Sequence, residues 1–245
     1  MFHPHAIEEL NPDGCIESRF PNFKDPMDFY EVVKIDLSHI HECISAVESN
    51  FAKKAIDSTI YPQVINSEEH LVKVVDKAKD VWNYQNTYPQ FVRYSFFTGI
   101  YSLFEERFTN LCYKYRNRFE KDTLISIDEF KRKKENKHLN GIFLAKEYCE
   151  NILCMKIDDE MWNRLVYHNQ IRNCIVHSRG YTLKTPYKNN RWKKERLENA
   201  IRKIDGINTK DNLIKINDSV CLNFIQLAEK FIKYICVQIP LVKAN

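Results

Sequence analysis

The sequence predicts an all-α protein, and three features of its composition and patterning support this fold class. Apolar residues recur at intervals of three and four along most of the chain, which is the spacing of one face of an α-helix. Only 5 of the 245 residues are glycines, which disfavours a glycine-rich β-sandwich or a Rossmann unit. Charged residues make up 29% and hydrophobic residues 44% of the chain, a balance typical of a soluble helical protein with a sizeable core.

The N-terminal part of the chain predicts an irregular lead-in followed by two helices. Residues 1–24 contain three prolines and a glycine, and Asp25-Pro26 then supplies an N-cap and a proline for the first helical turn. We expect one helix over about 28–57 and, after a break at Tyr61-Pro62, a second over about 67–84. The residues expected to face inward are Val33, Leu37, Ile40, Ile44, Val47 and Phe51, and then Leu71, Val74, Val75, Ala78 and Trp82.

The middle of the chain predicts a long aromatic helix and then a short basic one. Pro89 is expected to open the long helix, which runs to about Phe119. Ser126 and Glu129 fit a capping box, which would begin a short basic helix that ends near Asn140-Gly141. Aromatic side chains at helical spacing can stack bases, but they are more typical of a core. This stripe consists of Phe97, Tyr101, Phe104, Phe108, Leu111 and Tyr115.

The C-terminal part of the chain predicts three further helices and one extended segment. A helix from Ile142 to about Leu153 precedes a short basic helix near 194–203, an extended piece at 213–216 and a last helix from Asn217 or Asp218 to Pro240. The apolar faces of the first and last of these helices are Ile142, Ala145, Tyr148, Cys149, Ile152 and Leu153, and Leu222, Ile225, Ala228, Phe231, Ile232 and Ile235.

The segment from Asp158 to Gly180 predicts one helix with both ends marked. Asp158 can cap the N-terminus, and Gly180 can take the left-handed position after the C-terminus. One side of this helix is apolar, yet Asn169, Asn173 and His177 stack four residues apart on another face, and Arg172 sits beside them. A polar stripe of this kind indicates a water-filled cleft or an interface. The apolar side consists of Trp162, Leu165, Val166, Ile171 and Ile175.

The cysteines and the charge balance predict neither a cofactor nor a metal site. The eight cysteines contain no CxxC pair and no zinc-type spacing, so we interpret them as reduced thiols of a cytoplasmic protein, with disulfides as the alternative. The chain has no basic start followed by an apolar run and no run of about 18 apolar residues, so we expect neither a signal peptide nor a membrane partner. A net charge of +4 by itself indicates no partner.

The stretch IRNCIVHSRG resembles the signature of the HEPN superfamily, in which an arginine is followed by an adjacent polar residue, and four to six residues lie between the arginine and a histidine. Arg172, Asn173 and His177 match that signature. The resemblance covers roughly residues 90–238 and includes a Gly-Ile-x-x-Ala-x-x-Tyr helix at 141–148. It implies a HEPN-like helical bundle at 89–245, with an additional N-terminal helical region at 1–88.

The resemblance also implies a function. Many members of the superfamily are dimeric, metal-independent ribonucleases of toxin–antitoxin and anti-phage systems, while others have lost activity and bind RNA or proteins. It therefore makes Arg172, Asn173 and His177 candidate catalytic residues. One branch carries a tyrosine two residues after the histidine; Arg179 occupies that position here, so modification of such a tyrosine is not supported.

The chemistry of RNA cleavage suits these residue types. Attack by the 2′-hydroxyl requires removal of its proton, protonation of the leaving 5′-oxygen and stabilisation of charge on the phosphate. Histidine exchanges protons near neutral pH, and arginine matches phosphate with a permanent charge. Arg172 and His177 are about 140° apart around an ideal helix, so two copies meeting at a twofold axis would assemble them better than one. The structural alternatives are a salt bridge for Arg172 and a helix-dipole contact for His177.

A basic segment follows the motif, and we expect it to contact RNA phosphates; a solvated surface is the alternative. The expected partners are RNA, a second copy of the chain, and an antitoxin or other defence protein. A third hypothesis is a helical partner or antitoxin protein with no nucleic-acid role. The candidate RNA-binding residues are Asn169, Arg179, Lys184, Lys188, Arg191, Lys193 and Lys194.

Overall fold

A computed structural model describes residues 25–59, 68–115, 125–184 and 190–239, with the backbone alone for 68–73. The described residues are mostly helical, so the predicted all-α class is confirmed. The sequence features at residues 1–24, Tyr61-Pro62, Ser67, Phe119 and Pro240 lie outside the described residues, and so does the side chain of Leu71. No helix in the described ranges combines the length and the apolar character needed to cross a membrane.

Helix α1 spans Pro26–Ser58 and begins where the sequence predicts. Asp25 is extended, and its Oδ1 accepts a hydrogen bond of 2.8 Å from the backbone N–H of Met27. The expected inward face is buried at Val33, Leu37 and Ile44, and it is half-buried at Ile40, Val47 and Phe51. Helix α1 packs against helix α8, which spans Asp218–Val237, so the two ends of the chain share one core.

Helix α2 (Glu68–Trp82) continues into helix α3 (Tyr88–Tyr115) through a π-helical turn at Asn83–Thr87, so the expected start of a separate helix at Pro89 is wrong. In a regular α-helix a proline ring clashes with the carbonyl group four residues earlier. The π-helical turn, which is wider than an α-helical turn, lies just before Pro89, where this clash would occur. The expected inward face of α2 is also wrong at three of its four residues whose side chains are described, and Val74 is half-buried. Val75 and Trp82 are 65% and 58% exposed, and Ala78 is exposed, because α2 packs along α1 through another side.

The aromatic stripe of α3 belongs to the core, as the sequence favours. Each of its six residues is at most 2% exposed. The rings of Phe104 and Phe108 meet Phe231 of α8 edge to face, with centroid distances of 5.8 and 5.1 Å. Such pairs contribute beyond their buried area, so they stabilise the contact between α3 and α8.

Helix α4 (Ile127–Arg132) carries both hydrogen bonds of the predicted capping box. Ser126 Oγ accepts from the N–H of Glu129 at 3.1 Å, and Glu129 Oε2 accepts from the N–H of Ser126 at 2.6 Å. The helix is shorter than expected, because Lys133 leaves helical geometry and a 3₁₀ turn follows at Lys134–Asn136. Helix α5 then spans Ile142–Asn151.

The remaining elements are helices α6 (Asp159–Ser178) and α7 (Arg191–Lys203) and an antiparallel hairpin of β1 (Ile207–Lys210) and β2 (Leu213–Ile216). Strand β1 was not expected, because three of its four residues are polar and exposed. The pair that closes the hairpin, Asp211-Asn212, has φ of 53° and 60°, the geometry of a type I′ turn. Helix α7 packs against α6, and the hairpin packs against α3 and α7.

Five of the described cysteines are buried on apolar faces, as expected for small hydrophobic side chains. Burial raises the pKa of Cys174, Cys221 and Cys236 to about 12, so these thiols stay protonated. The cytoplasmic location and the division of the chain at 88–89 stay predictions.

Candidate functional site

Helix α6 has the two ends that the sequence predicts. Asp158 Oδ1 accepts a hydrogen bond of 2.7 Å from the N–H of Met161, and Asp159 and Glu160 occupy the first turn. At the other end Arg179 adopts left-handed geometry with φ 55°, and Gly180 follows with φ 81°. The left-handed stretch therefore begins one residue before the expected glycine. The carbonyl of Cys174 accepts hydrogen bonds from the N–H groups of both residues, which closes the helix.

Gly180 joins the end of α6 to α3 and the hairpin. A Cβ on Gly180 would lie 2.2 Å from the hydroxyl oxygen of Tyr94, so no larger residue fits without movement. That hydroxyl donates to the carbonyl of Ile214 in β2, and Ile214 N–H donates to the carbonyl of Gly180 at 2.9 Å. Thr182 N–H donates to the carbonyl of Asn212 at 2.9 Å. The chain after the motif is thus held against β2 by an isolated antiparallel bridge between Tyr181 and Leu213 and by these hydrogen bonds.

Two residues of the polar stripe of α6, Asn169 and Asn173, are half-buried and belong to a hydrogen-bonded chain that ends on α3. Arg172 donates to Asn173 Oδ1 at 3.0 Å, and Asn173 Nδ2 donates to Asn169 Oδ1 at 2.8 Å. Asn169 Nδ2 donates to the hydroxyl of Tyr101, which is fully buried. Asn169, a candidate RNA-binding residue, therefore uses both amide atoms within the protein. Its contact with RNA stays a prediction.

Arg172 is half-buried at the outer end of this chain. Its guanidinium carbon lies 5.7 Å from the centroid of the Tyr101 ring, and its single hydrogen bond among the described residues is the one to Asn173. The buried Nε has no hydrogen-bond partner there. Tyr101 and Asn173 therefore hold the side chain in place, while most of its five N–H donors form no hydrogen bond with the described residues.

Glu105 lies near Arg172, and the sequence interpretation did not select it. Burial raises the pKa of the Glu105 carboxyl group, and the positive charge of Arg172 opposes this increase. The carboxylate fits because Gly141, with φ 54°, has no Cβ; one built there would lie 1.9 Å from Glu105 Oε1. An open groove of about 350 Å³ begins here, between α3 and the start of α5. Its lining includes Ser102, Glu105, Thr109, Asn110, Gly141 and Leu144.

His177 is exposed on the last turn of α6 and is not among the residues that line this groove. No hydrogen bond in the described structure connects it to Arg172 or Asn173. The described hydrogen bonds therefore do not join the arginine and the histidine of one chain, in agreement with their separation of about 140° around an ideal helix. Its neighbour Val176 is 47% exposed, so the end of α6 presents an uncovered apolar side chain beside the histidine.

A second histidine of α6, His168, is buried and was not selected from the sequence. Its ring stacks on Phe224 and Phe97 with centroid distances of 4.5 and 5.9 Å. Nδ1 donates to the carbonyl of Arg164 at 2.7 Å, and the buried Nε2 has no partner among the described residues. Burial lowers the pKa of His168 to about 4, so the ring is neutral at neutral pH. We assign it to the core.

The other candidate RNA-binding residues lie on the surface, except Lys188, which is outside the described residues. Arg179 is exposed at the end of α6. One arginine and one lysine of α7 each form an ion pair with the glutamate four residues later. Arg191 pairs with Glu195 at 2.7 Å, and Lys194 pairs with Glu198 at 3.8 Å. Lys193 is exposed, and its backbone N–H donates to the side chain of Asn190, which caps α7. The helix therefore begins at Arg191, three residues before the expected start at 194.

Two exposed aromatic rings in this region carry a cation over one face, and the sequence interpretation did not select them. Lys184 Nζ lies 4.1 Å from the ring centroid of Tyr181, and the guanidinium carbon of Arg196 lies 4.4 Å from that of Trp192. Tyr181 is 38% and Trp192 61% exposed. An aromatic residue close to a basic one at helical or turn spacing was the signal available in the sequence.

Comparison of the chain with models of protein families, with curated proteins and with solved structures finds no match in any of the three. The resemblance of Arg172, Asn173 and His177 to the HEPN signature therefore rests on those residues and their surroundings alone. Among the described residues, no three histidine, cysteine, aspartate or glutamate side chains are grouped as ligands for a metal ion.

Proposed function

We propose that this protein is a metal-independent endoribonuclease of the HEPN type that acts as a toxin or anti-phage effector in the cytoplasm. The observation that carries the proposal is the end of α6. Arg172 contacts Tyr101 and Asn173 and still has N–H donors that bind no described residue. His177 is exposed little more than one turn later on the same helix, at the spacing of the HEPN signature. A buried polar chain that does no more than hold α6 on α3 would not require an arginine at its outer end.

The proposed reaction begins with attack of a ribose 2′-oxygen on the adjacent phosphorus. The 2′-hydroxyl loses its proton, the bond from phosphorus to the 5′-oxygen breaks, and that oxygen gains a proton. The products are a 2′,3′-cyclic phosphate and a 5′-hydroxyl end. His177 exchanges the protons, and the guanidinium of Arg172 stabilises the charge on the phosphate oxygens. Asn173 positions Arg172 through the hydrogen bond of 3.0 Å.

A homodimer supplies the geometry that a single chain lacks. Arg172 points toward α3, whereas His177 is exposed at the helix end. Two α6 helices related by a twofold axis would bring the histidine of one chain toward the arginine of the other. The exposed Val176 beside His177 supports this contact, because an interface would cover it. An antitoxin or another defence protein is the proposed restraint on activity.

The alternative function is a catalytically inactive HEPN-like module that binds RNA or a partner protein. The observation that favours it is that Asn169 and Asn173 use their amide groups within the chain, as in a structural polar network. Both functions involve the same surface, so a cleavage assay separates them.

The test is cleavage of a labelled single-stranded RNA by the full-length protein, its His177→Ala variant and its Arg172→Ala variant. We expect both variants to lose cleavage while keeping their thermal unfolding transition, and we expect EDTA to leave the activity of the unchanged protein intact. DNA of the same sequence should resist. Full activity of His177→Ala would refute the catalytic assignment, and loss of activity in EDTA would refute the metal-independent mechanism.

A further inference from the structure

Tyr181 is an exposed aromatic ring with a fixed backbone, directly after the proposed catalytic helix. Its residue forms a bridge with Leu213 of β2, and its N–H donates to the carbonyl of Ser178 at 3.0 Å. The flanking residues Gly180 and Thr182 are hydrogen-bonded to the hairpin. An exposed tyrosine on such a constrained backbone loses little conformational freedom when something covers it.

We propose that Tyr181 stacks on an unpaired base of the RNA next to the cleaved bond, so that the substrate is single-stranded RNA. The inference rests on the proposed ribonuclease function and adds the part of the substrate that the enzyme recognises. Aromatic side chains bind single strands in this way because every base has a π-face, whereas the bases of a duplex are already stacked.

The distance from Tyr181 to His177 supports this role. Three residues lie between them, and the four steps from one Cα atom to the next span at most about 14 Å. The chain turns within this interval, since both Arg179 and Gly180 have positive φ, so the actual separation is shorter. A ring at that distance meets a base within a few nucleotides of a phosphate bound at His177.

Lys184 supplies the charge that accompanies a stacked base. The ammonium nitrogen of Lys184 lies 4.1 Å from the centroid of the Tyr181 ring, and the backbone N–H of Lys184 donates to the backbone carbonyl of Tyr181 at 3.3 Å. An exposed cation–π contact of this kind changes an equilibrium by only about two- to fivefold. A stacked base changes affinity by about 5- to 150-fold, so it can displace the ammonium group, which then reaches the neighbouring phosphate.

The surface chemistry favours RNA over a protein as the occupant of this ring. Arg179 and Lys184 flank Tyr181, and the next described helix begins with Arg191 and continues with Lys193 and Lys194. The two acidic residues between Arg179 and Lys203 are Glu195 and Glu198 of helix α7, and both pair with these cations. A positive surface with an exposed ring matches a polyanion with free bases.

The experiment measures binding in full-length protein carrying His177→Ala, so that the RNA stays intact. The probe is a fluorescein-labelled single-stranded RNA of about 12 nucleotides, compared with a duplex of the same sequence. Tyr181→Leu should weaken single-strand binding by about 5- to 150-fold and leave duplex binding unchanged, whereas Tyr181→Phe should bind the single strand within twofold of the parent. The slope of log affinity against log salt should stay the same in Tyr181→Leu and become shallower in Lys184→Gln, because only the second variant loses a charge.

Tyr113→Leu is the matched control. This tyrosine is 42% exposed on α3, 19 residues and hence roughly 28 Å along the helix from Tyr94, which contacts Gly180. The Tyr113→Leu variant should bind both RNAs as tightly as the parent protein, which carries only His177→Ala. Equal loss of single-strand and duplex binding in Tyr181→Leu, or no loss of either, would overturn the stacking role while the ribonuclease function stands. A parent protein that binds no RNA would overturn both, and the exposed ring would then face a protein partner.

Discussion

The guanidinium carbon of Arg172 lies 5.7 Å from the centroid of the Tyr101 ring, on the outer side of a ring that is itself fully buried. The two residues are joined a second time through Asn173 and Asn169, which lead from the guanidinium back to the Tyr101 hydroxyl. Tyr101 therefore contacts the guanidinium group of Arg172 through its ring, and its hydroxyl oxygen accepts the hydrogen bond from Asn169. In a ribonuclease this makes Tyr101 a positioning residue.

Replacing Tyr101 with phenylalanine should separate these two roles. The ring remains under Arg172, but Asn169 loses its acceptor, and a buried donor without a partner costs about 1–3 kcal/mol of unfolding free energy. We expect RNA cleavage to fall by about 10- to 100-fold, because the stripe no longer holds Arg172 in place. Denaturant unfolding and single-turnover cleavage measure the two effects.

Tyr148→Phe is the matched control for this substitution. Tyr148 is also fully buried, and its hydroxyl donates to the carbonyl of Ile125 at 2.8 Å, so the stability loss should be similar. Its contacts lie with α4 rather than with the stripe, so activity should not change. Equal loss of activity in both variants would mean that cleavage follows stability and that Tyr101 has no positioning role.

Gly180→Ala should destabilise the protein and disturb the end of the motif helix. The residue has φ 81°, and the added Cβ would lie 2.2 Å from the Tyr94 hydroxyl oxygen. Left-handed strain alone costs about 1 kcal/mol, and the clash adds to it. Gly99→Ala should instead stabilise the protein by up to about 1 kcal/mol, since Gly99 lies inside α3 and its added Cβ would meet no atom within 4 Å. Equal melting temperatures for the two variants would contradict the close contact between α6 and α3.

The sequence predicts helices well where the signal is local and poorly where it depends on a neighbouring element. Capping by Asp25, Ser126 and Asp158 involves residues two or three positions apart, so the pattern is sufficient. The inward face of α2 depends on which helices surround it, and Trp82 is exposed because α2 packs along α1 through another side.

The candidate site shows the same limit. The spacing of Asn169 and Asn173 predicts that they stack, and they are hydrogen-bonded at 2.8 Å. Their anchor, Tyr101, is indistinguishable in the sequence from the other aromatic residues of α3, because only the packing of α6 on α3 gives its hydroxyl a partner. Glu105 was missed for the same reason, since its place depends on Gly141 and Arg172.

His168 should make the stability of the protein depend on pH between about 4 and 6.5. Burial lowers its pKa from 6.5 to about 4, so in this window the unfolded chain binds more protons than the folded one. Stability should therefore be complete above pH 6.5, fall as the pH drops through the window, and lose about 3 kcal/mol of this contribution by pH 4.

The measurement is the unfolding free energy of the parent and of His168→Phe across this range. Phenylalanine can fill the space between Phe97 and Phe224, and it has no proton to gain. The difference between the two curves isolates His168 from the carboxylates. Parallel curves for the parent and His168→Phe would show that His168 binds as many protons in the folded state as in the unfolded state, so that folding does not lower its pKa.

Glu195→Gln should strengthen RNA binding if α7 contacts the phosphates. Glu195 Oε1 accepts from Arg191 Nε at 2.7 Å, and its loss frees one cation. The slope of log affinity against log salt should steepen by about 0.7 for one new contact with a single strand. Glu31→Gln is the control, because Glu31 pairs with Lys34 at 3.6 Å on α1 and the net charge changes equally. The same small gain in both variants would indicate an effect of net charge alone.

The last prediction concerns the dimer. If each cleft combines Arg172 of one chain with His177 of the other, a heterodimer of Arg172→Ala and His177→Ala chains contains one cleft with both residues intact. Such a heterodimer should recover up to about half of the parent's activity, while each homodimer is inactive. Co-expression with two different tags and purification over both isolates the mixed species without relying on subunit exchange.

The matched control is a mixed dimer of one Arg172→Ala, His177→Ala double-variant chain and one unchanged chain. That mixed dimer also contains one arginine and one histidine, but both belong to the same chain. Shared clefts require it to stay inactive, whereas a site complete within one chain would give it about half of the parent's activity and leave the first heterodimer inactive. Light scattering should find a species of twice 29.3 kDa in every preparation. A monomer that cleaves RNA would refute the shared cleft, because Arg172 and His177 of one chain lie on different sides of α6.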